Sequence, residues 1–163
     1  MERQRRLKTF MGTLSTALLP KDIHLSLRAS NPGDALEEVL SSLRGDKRVG
    51  DWAELRDTLA NGSPIDCGSP ESGMIILHHR RTPSISGMVL AAGRFMPGLP
   101  VQGCDRPLRM IFVAAIPESL DNEYLRVLGA VSRICGDDHS FGCLMSAPDP
   151  GAFISILEEG CRR

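Results

Sequence analysis

The sequence predicts an α/β sandwich: a mixed central sheet with helices packed on both of its faces. Three observations carry the expectation. Leu108 to Ile116 is the most apolar run in the chain and stops at Pro117, as a central strand would. Shorter apolar or alternating runs around residues 23–27, 74–79 and 86–94 read as further strands. Stretches with apolar residues at helical spacing lie between and after them, but strict strand–helix–strand alternation is too sparse for a fully parallel sheet.

Taken in order, Arg3, Arg5, Arg6 and Lys8 precede the apolar stretch Phe10 to Leu19. That pattern is faintly like a secretory signal, yet Thr13, Ser15 and Thr16 break the run and no small-x-small cleavage site follows. The expectation is a frayed basic segment over residues 1–12 that leads into a short surface helix, with a single domain over 13–163. Pro20 should stop that helix. Ile23, Leu25 and Leu27 alternate with His24, Ser26 and Arg28, which predicts a strand with His24 on its solvated face. Asn31-Pro32 should open a helix, Asn as cap and Pro in its first turn; Leu36, Val39, Leu40 and Leu43 form its stripe, and Gly45 ends it. Asp51 with Glu54 marks the next helix, whose stripe is Trp52, Leu55 and Leu59. Residues 61–73, rich in Gly, Pro and Ser, form a loop of a length that is often functional. Ser86 to Arg94 reads as a strand, and Phe95-Met-Pro-Gly-Leu-Pro100 as a turn-rich connection. Ser119 or Asp121 can cap a helix carrying Leu125, Leu128, Val131 and Ile134, closed by Gly136. A short segment around Phe141 to Met145 and a helix from about Asp149 to Glu159, with Phe153, Ile154 and Leu157 inward, complete the chain.

Composition narrows the function. A net charge of −1 gives no bulk attraction to nucleic acid or to a membrane surface, and 4% aromatic residues are too few for a base-stacking platform. The five cysteines, Cys67, Cys104, Cys135, Cys143 and Cys161, are odd in number and show no C-x-x-C spacing. They read as reduced thiols of a cytoplasmic protein, and neither a metal site nor a bound cofactor is expected. No apolar run approaches the roughly 20 residues that span a bilayer.

The chemistry is concentrated in Gly73-Met-Ile-Ile-Leu-His-His-Arg80, followed by Arg81. A buried strand here would place Met74, Ile76 and His78 on one face and Ile75, Leu77 and His79 on the other, so only one imidazole belongs to a given site. A nucleophilic imidazole with cations at a strand end suits phosphoryl chemistry: the neutral ring accepts the group and the cations stabilise its charge. No Walker-type or G-x-G-x-x-G sequence points to a nucleotide-driven kinase, and no Ser-His-Asp spacing points to hydrolysis.

The order of elements and the stretch Gly73 to His78, "GMIILH", resemble the type-2 EIIA domains of the bacterial phosphotransferase system, whose strand motif has the form G-I-A-I-P-H. The resemblance covers the chain from about Leu14 to the C-terminal helix, and the opening "LLPKDIHLSL" is most similar to the nitrogen-type regulatory branch. It implies a mixed sheet of about five strands. It also implies that His78 is the phosphorylated histidine, with a small HPr-type phosphocarrier protein as donor. The acceptor would be a permease domain or a regulatory target, with regulation favoured over sugar uptake. Arg80, His79 and Tyr124 are then the candidates to stabilise the phosphoryl group or bind the donor, with Arg94 and Arg126 as weaker ones. Three departures stand out. Leu77 replaces the family's Pro, Tyr124 occupies the place of its second histidine, and the loop around Asn61-Gly62-Ser63 lacks its arginine. They also fit an alternative, a regulatory or binding module that keeps the fold without phosphotransfer.

Overall fold

The computed structural model describes residues 1–119 and 123–160, the side chains of residues 6–13 and of Glu123 excepted. Asp121, an expected helix cap, and Cys161 lie outside them. Apolar alternation builds a sheet with two apolar faces. Along β5 (Leu108–Pro117), Met110, Phe112 and Ala114 join one core cluster while Ile111, Val113 and Ala115 join the other. This is the central strand of a five-stranded sheet ordered β1-β4-β5-β3-β2. Here β1 is Leu18–His24, β2 Ile65–Asp66, β3 Met74–Thr82 and β4 Val89–Leu99. β3 runs parallel to β5 and β4 antiparallel to it, so the sheet is mixed as expected. Helices α2 (Pro32–Leu40) and α3 (Trp52–Ala60) cover one face. Helices α1 (Glu2–Ala17), α4 (Glu123–Gly136), α5 (Asp138–Ser146) and α6 (Pro150–Gly160) cover the other.

The capping signals act as their chemistry requires. Asn31 Oδ1 accepts the Asp34 N–H at 2.9 Å and Pro32 sits in the first turn of α2. Asp51 accepts the Glu54 N–H at 3.0 Å and starts α3. Gly45, at φ +82°, adopts the left-handed backbone that turns the chain away after α2 and its short 3₁₀ extension.

Several elements differ from expectation. α1 is not short: it runs unbroken from Glu2 to Ala17. Pro20 lies within β1, which ends at His24 instead of reaching Leu27. An edge strand tolerates a residue without an N–H, and β1 is an edge. His24 is half-buried with Nε2 3.2 Å from Ser42 Oγ, and burial lowers its pKa, so it is not on a solvated face. β4 continues through Phe95-Met-Pro-Gly-Leu99, where Pro97 and Gly98 fall in a break of the ladder between Arg94 and Leu99. The loop 61–73 contains the two-residue strand β2. Residues 138–146 are a full helix, α5, and Leu125 is 53% exposed while Val127, Leu128, Val131 and Ile134 face the core.

Two arginines tie this core together by serving helix ends. Arg48 donates to the Thr16 and Ala17 carbonyls at 2.9 and 3.0 Å, where α1 leaves its last carbonyls open. It also binds Asp46 (2.8 Å) and the fully buried Asp22 (3.2 Å), and Lys21 reaches both carboxylates at 2.8 Å. The Arg48 guanidinium holds the Asp46 carboxyl well below the usual carboxylate range. Arg94, also buried, donates to the Leu25 and Leu144 carbonyls at 2.9 Å each, the latter near the end of α5.

Candidate functional site

Strand β3 carries the candidate residues in mid-course, not at its end. Parallel pairing with β5 extends it through Arg80↔Ala115 to Thr82↔Pro117, past the charges that in sequence look like a terminus. Alternation then decides who meets whom. Met74 and Ile76 pack with the α2–α3 cluster, and Ile75 and Leu77 with the α4–α6 cluster. His78 and Arg80 therefore point to the α3 side, and His79 and Arg81 to the α4 side. Two contacts agree. The Arg80 guanidinium lies against Gly62, just beyond the end of α3, so closely that a Cβ at Gly62 would come 2.5 Å from its Nε. Arg81 stacks over the Tyr124 ring at 4.3 Å and donates to the Glu118 carbonyl at 3.3 Å. The structure thus brings Arg80 to the side of His78, and Tyr124 to the side of His79; it does not gather all four candidates into one cleft.

The His78 ring is half-buried. Burial lowers its pKa, the Leu59 carbonyl at the end of α3 works in the opposite direction, and the neighbouring His79 adds to the lowering. The neutral ring is favoured, which is the form with a lone pair to give. Its Nδ1 is buried and makes no well-formed hydrogen bond, the Leu59 carbonyl being its ring's one nearby acceptor. Ser84 Oγ, Arg106 Nε and Arg109 Nε are buried in the same condition, so the feature of His78 that bears on chemistry is the neutral ring and its strand face.

The loop before β3 is held rigidly by a residue the sequence did not single out. Arg106 donates to Asp66 at 2.7 Å and to the Ser69 and Gly73 carbonyls at 2.9 and 2.6 Å. Asp66 in turn accepts the N–H groups of Gly68 at 3.0 Å and Ile75 at 3.2 Å. Burial opposes ionisation of Asp66, but these backbone donors and Arg106 outweigh it and lower its pKa. Asp66-x-Gly68 is a turn signal readable in sequence; Arg106, forty positions away, offers none. Ser69 Oγ donates to Asp138 at 2.6 Å, pinning the loop to α5, and Gly73 needs its φ of +90° to enter the strand. Cys67 is no activated thiol: burial raises its pKa, and Sγ rests 3.6 Å from Ser132 Oγ. Arg94 is consumed by its carbonyls, Arg126 is exposed on α4, and His139 is exposed on α5 beside Cys143. Among the described residues no group of three or more His, Cys, Asp or Glu could hold a metal ion, and no helix is long and apolar enough to cross a membrane.

No protein-family description and no curated protein sequence matches the chain. Solved structures do. The nitrogen regulatory protein IIA-Ntr of Neisseria meningitidis aligns over 87% of this chain and 97% of its own, with a TM-score of 0.72 at 19% identity. IIA mannitol of Escherichia coli aligns over 86% and 98%, at 0.66 and 16%. The enzyme IIA-Mtl of Escherichia coli, solved in complex with phosphorylated enzyme IIB-Mtl, aligns over 87% and 97%, at 0.62 and 14%. With its mixed five-stranded sheet and its helices on both faces in the same arrangement, the chain has the fold of the type-2 EIIA domains of the bacterial phosphotransferase system.

Proposed function

We propose that this protein is an EIIA-like phosphohistidine carrier that accepts a phosphoryl group on His78 from an HPr-type protein and serves regulation rather than sugar uptake. One observation carries the reading: an imidazole kept neutral by burial shares the α3 face of β3 with Arg80. With Nδ1 buried, Nε2 is the nitrogen left to react. Its lone pair forms the new N–P bond while the P–N bond to the donor's histidine breaks and returns its electron pair to the donor ring. Arg80 stabilises the charge spread over the equatorial oxygens, taking the part of the arginine absent from the 61–63 loop. The opening LLPKDIHLSL, similar to the nitrogen-type branch, supports the regulatory version, and the solved complex of IIA-Mtl with phosphorylated IIB-Mtl supports a protein as the next partner.

The alternative, a binding module that keeps the fold without transfer, has one specific observation in its favour: Tyr124 packs under Arg81 on the opposite face from His78. Phosphoenolpyruvate, enzyme I and HPr distinguish the two. Stoichiometric acid-labile label on the Gly73–Arg80 peptide by mass spectrometry, absent in His78→Ala, is the expected result. An unlabelled parent beside a labelled control EIIA would select the binding module.

A further inference from the structure

We propose that a cleft between α2 and α3, at the end of α3 away from His78, binds a small aromatic carboxylate. Two helical faces build it. Glu37, Ser41 and Arg44 follow one another at i, i+4 and i+7 along α2 and its 3₁₀ extension, and Trp52 and Arg56 at i and i+4 on the first turns of α3. These five residues line a cleft of about 290 Å³. Arg56 Nε donates to both Glu37 carboxylate oxygens, at 2.7 and 2.9 Å, and the pair ties the two helices together beside it. α3 begins at the cleft with Trp52 and brings the Leu59 carbonyl to His78 near its other end, so the cleft shares no residue with the candidate phosphoryl site.

The walls select the ligand. Leu55 and Leu59 of the α3 stripe are buried, whereas Trp52 packs against the same core cluster and keeps part of its surface open to the cleft. The chain's single tryptophan therefore supplies an aromatic wall, and a planar ring is its complement. The Glu37 carboxylate is spent on Arg56, which leaves Arg44, exposed and paired with no carboxylate among the described residues. Two guanidinium groups and one carboxylate give the cleft a formal charge of +1, the match for a monoanion. A guanidinium fork takes a carboxylate through two parallel hydrogen bonds. Size sets the rest. A cavity of about 150 Å³ holds a benzene ring, so this cleft has room for a ring, its carboxylate and a further substituent. A nucleic-acid strand is the wrong occupant, since it needs successive stacking aromatics and the cleft has one. This inference does not depend on phosphotransfer.

The test uses the full, unphosphorylated chain and 4-(trifluoromethyl)benzoate as probe. Two readouts are independent: fluorescence of Trp52, which is the only tryptophan and lines the cleft, and the fluorine resonance of the probe. The carboxylate should bind saturably and at least about tenfold tighter than the matching benzamidine or benzyl alcohol, as one charge-assisted contact implies. Arg44→Met, a change at an exposed residue, should weaken the carboxylate about tenfold and leave the benzyl alcohol unchanged. Trp52→Leu, read by the fluorine signal, should weaken it about threefold or more. Absence of saturable binding would overturn the proposal, and so would equal binding of the benzamidine. An unchanged affinity in Arg44→Met would place any binding elsewhere and overturn it as well. Tenfold tighter binding of the matching phenyl phosphate would assign the cleft to a phosphoryl group and overturn the carboxylate.

Discussion

Two polar clusters flank different strands of the sheet and obey opposite rules. Around Asp22, fully buried, every charge is answered: Arg48 and Lys21 reach both carboxylates, and Arg48 also closes the end of α1. Around His78 a half-buried ring is kept neutral by burial, Nδ1 makes no well-formed hydrogen bond, and Arg80 follows two residues on along the same strand face with its guanidinium against Gly62. The first arrangement stabilises the fold. The second keeps an imidazole neutral and half-exposed, with its lone pair.

That contrast can be broken by substitution. Arg48→Met takes the guanidinium from Asp22, which keeps Lys21, and from the last carbonyls of α1, and should cost about 1.5–3 kcal/mol in denaturant unfolding, with labelling per folded molecule unchanged. A loss below ~1 kcal/mol would remove the cluster from the scaffold. The same cluster predicts acid sensitivity. The folded pKa of Asp46 lies below its unfolded value, so its contribution is complete above about pH 4 and is lost as pH falls through the folded pKa. Urea titrations of parent and Asp46→Asn should converge toward acid and separate near neutral pH.

His78→Leu should behave in the reverse way. It replaces a half-buried polar ring, tied only to the Leu59 carbonyl, by an apolar side chain, so stability should change by less than about 1 kcal/mol while labelling disappears. The folded pKa of His78 is depressed, so the unfolded chain binds more protons between the folded pKa and about 6.5. Parental stability should fall with acid across that window, and the variant should lose that part of the slope. A destabilised variant would place His78 among the structural residues. The smallest effect belongs to the other face of β3. Tyr124→Leu removes the stack with Arg81 and should cost about 0.5–1 kcal/mol, with the labelling rate of His78 unchanged. A large drop in that rate would mean that Tyr124 serves the site despite its position.

Much of the architecture was legible because it rests on local chemistry. The caps at Asn31 and Asp51, the apolar run of β5 and the left-handed turn at Gly45 are written in adjacent residues. What failed depends on the partner strand or helix. Pro97-Gly98 looks like a turn until the ladder with β5 resumes at Leu99, and Arg80-Arg81 looks like a strand end until β5 carries the pairing to Thr82. The candidate site was legible in its residue types and in the alternation of the two imidazoles. It was not legible in its partners: Gly62 under Arg80, Tyr124 under Arg81 and the Arg106 clamp all come from distant parts of the chain.

The doubled pairs His78-His79 and Arg80-Arg81 have a consequence for change over time. Each face of β3 reads His-x-Arg. A strand that slips by one residue turns every side chain over, yet here it would still show an imidazole and a guanidinium to α3, and another such pair to α4. Loss or gain of a single residue in the loop ahead would exchange the two sets without erasing either. Duplication makes the chemistry of this strand tolerant of its own register, and an insertion that would blank a lone histidine leaves a spare in its place.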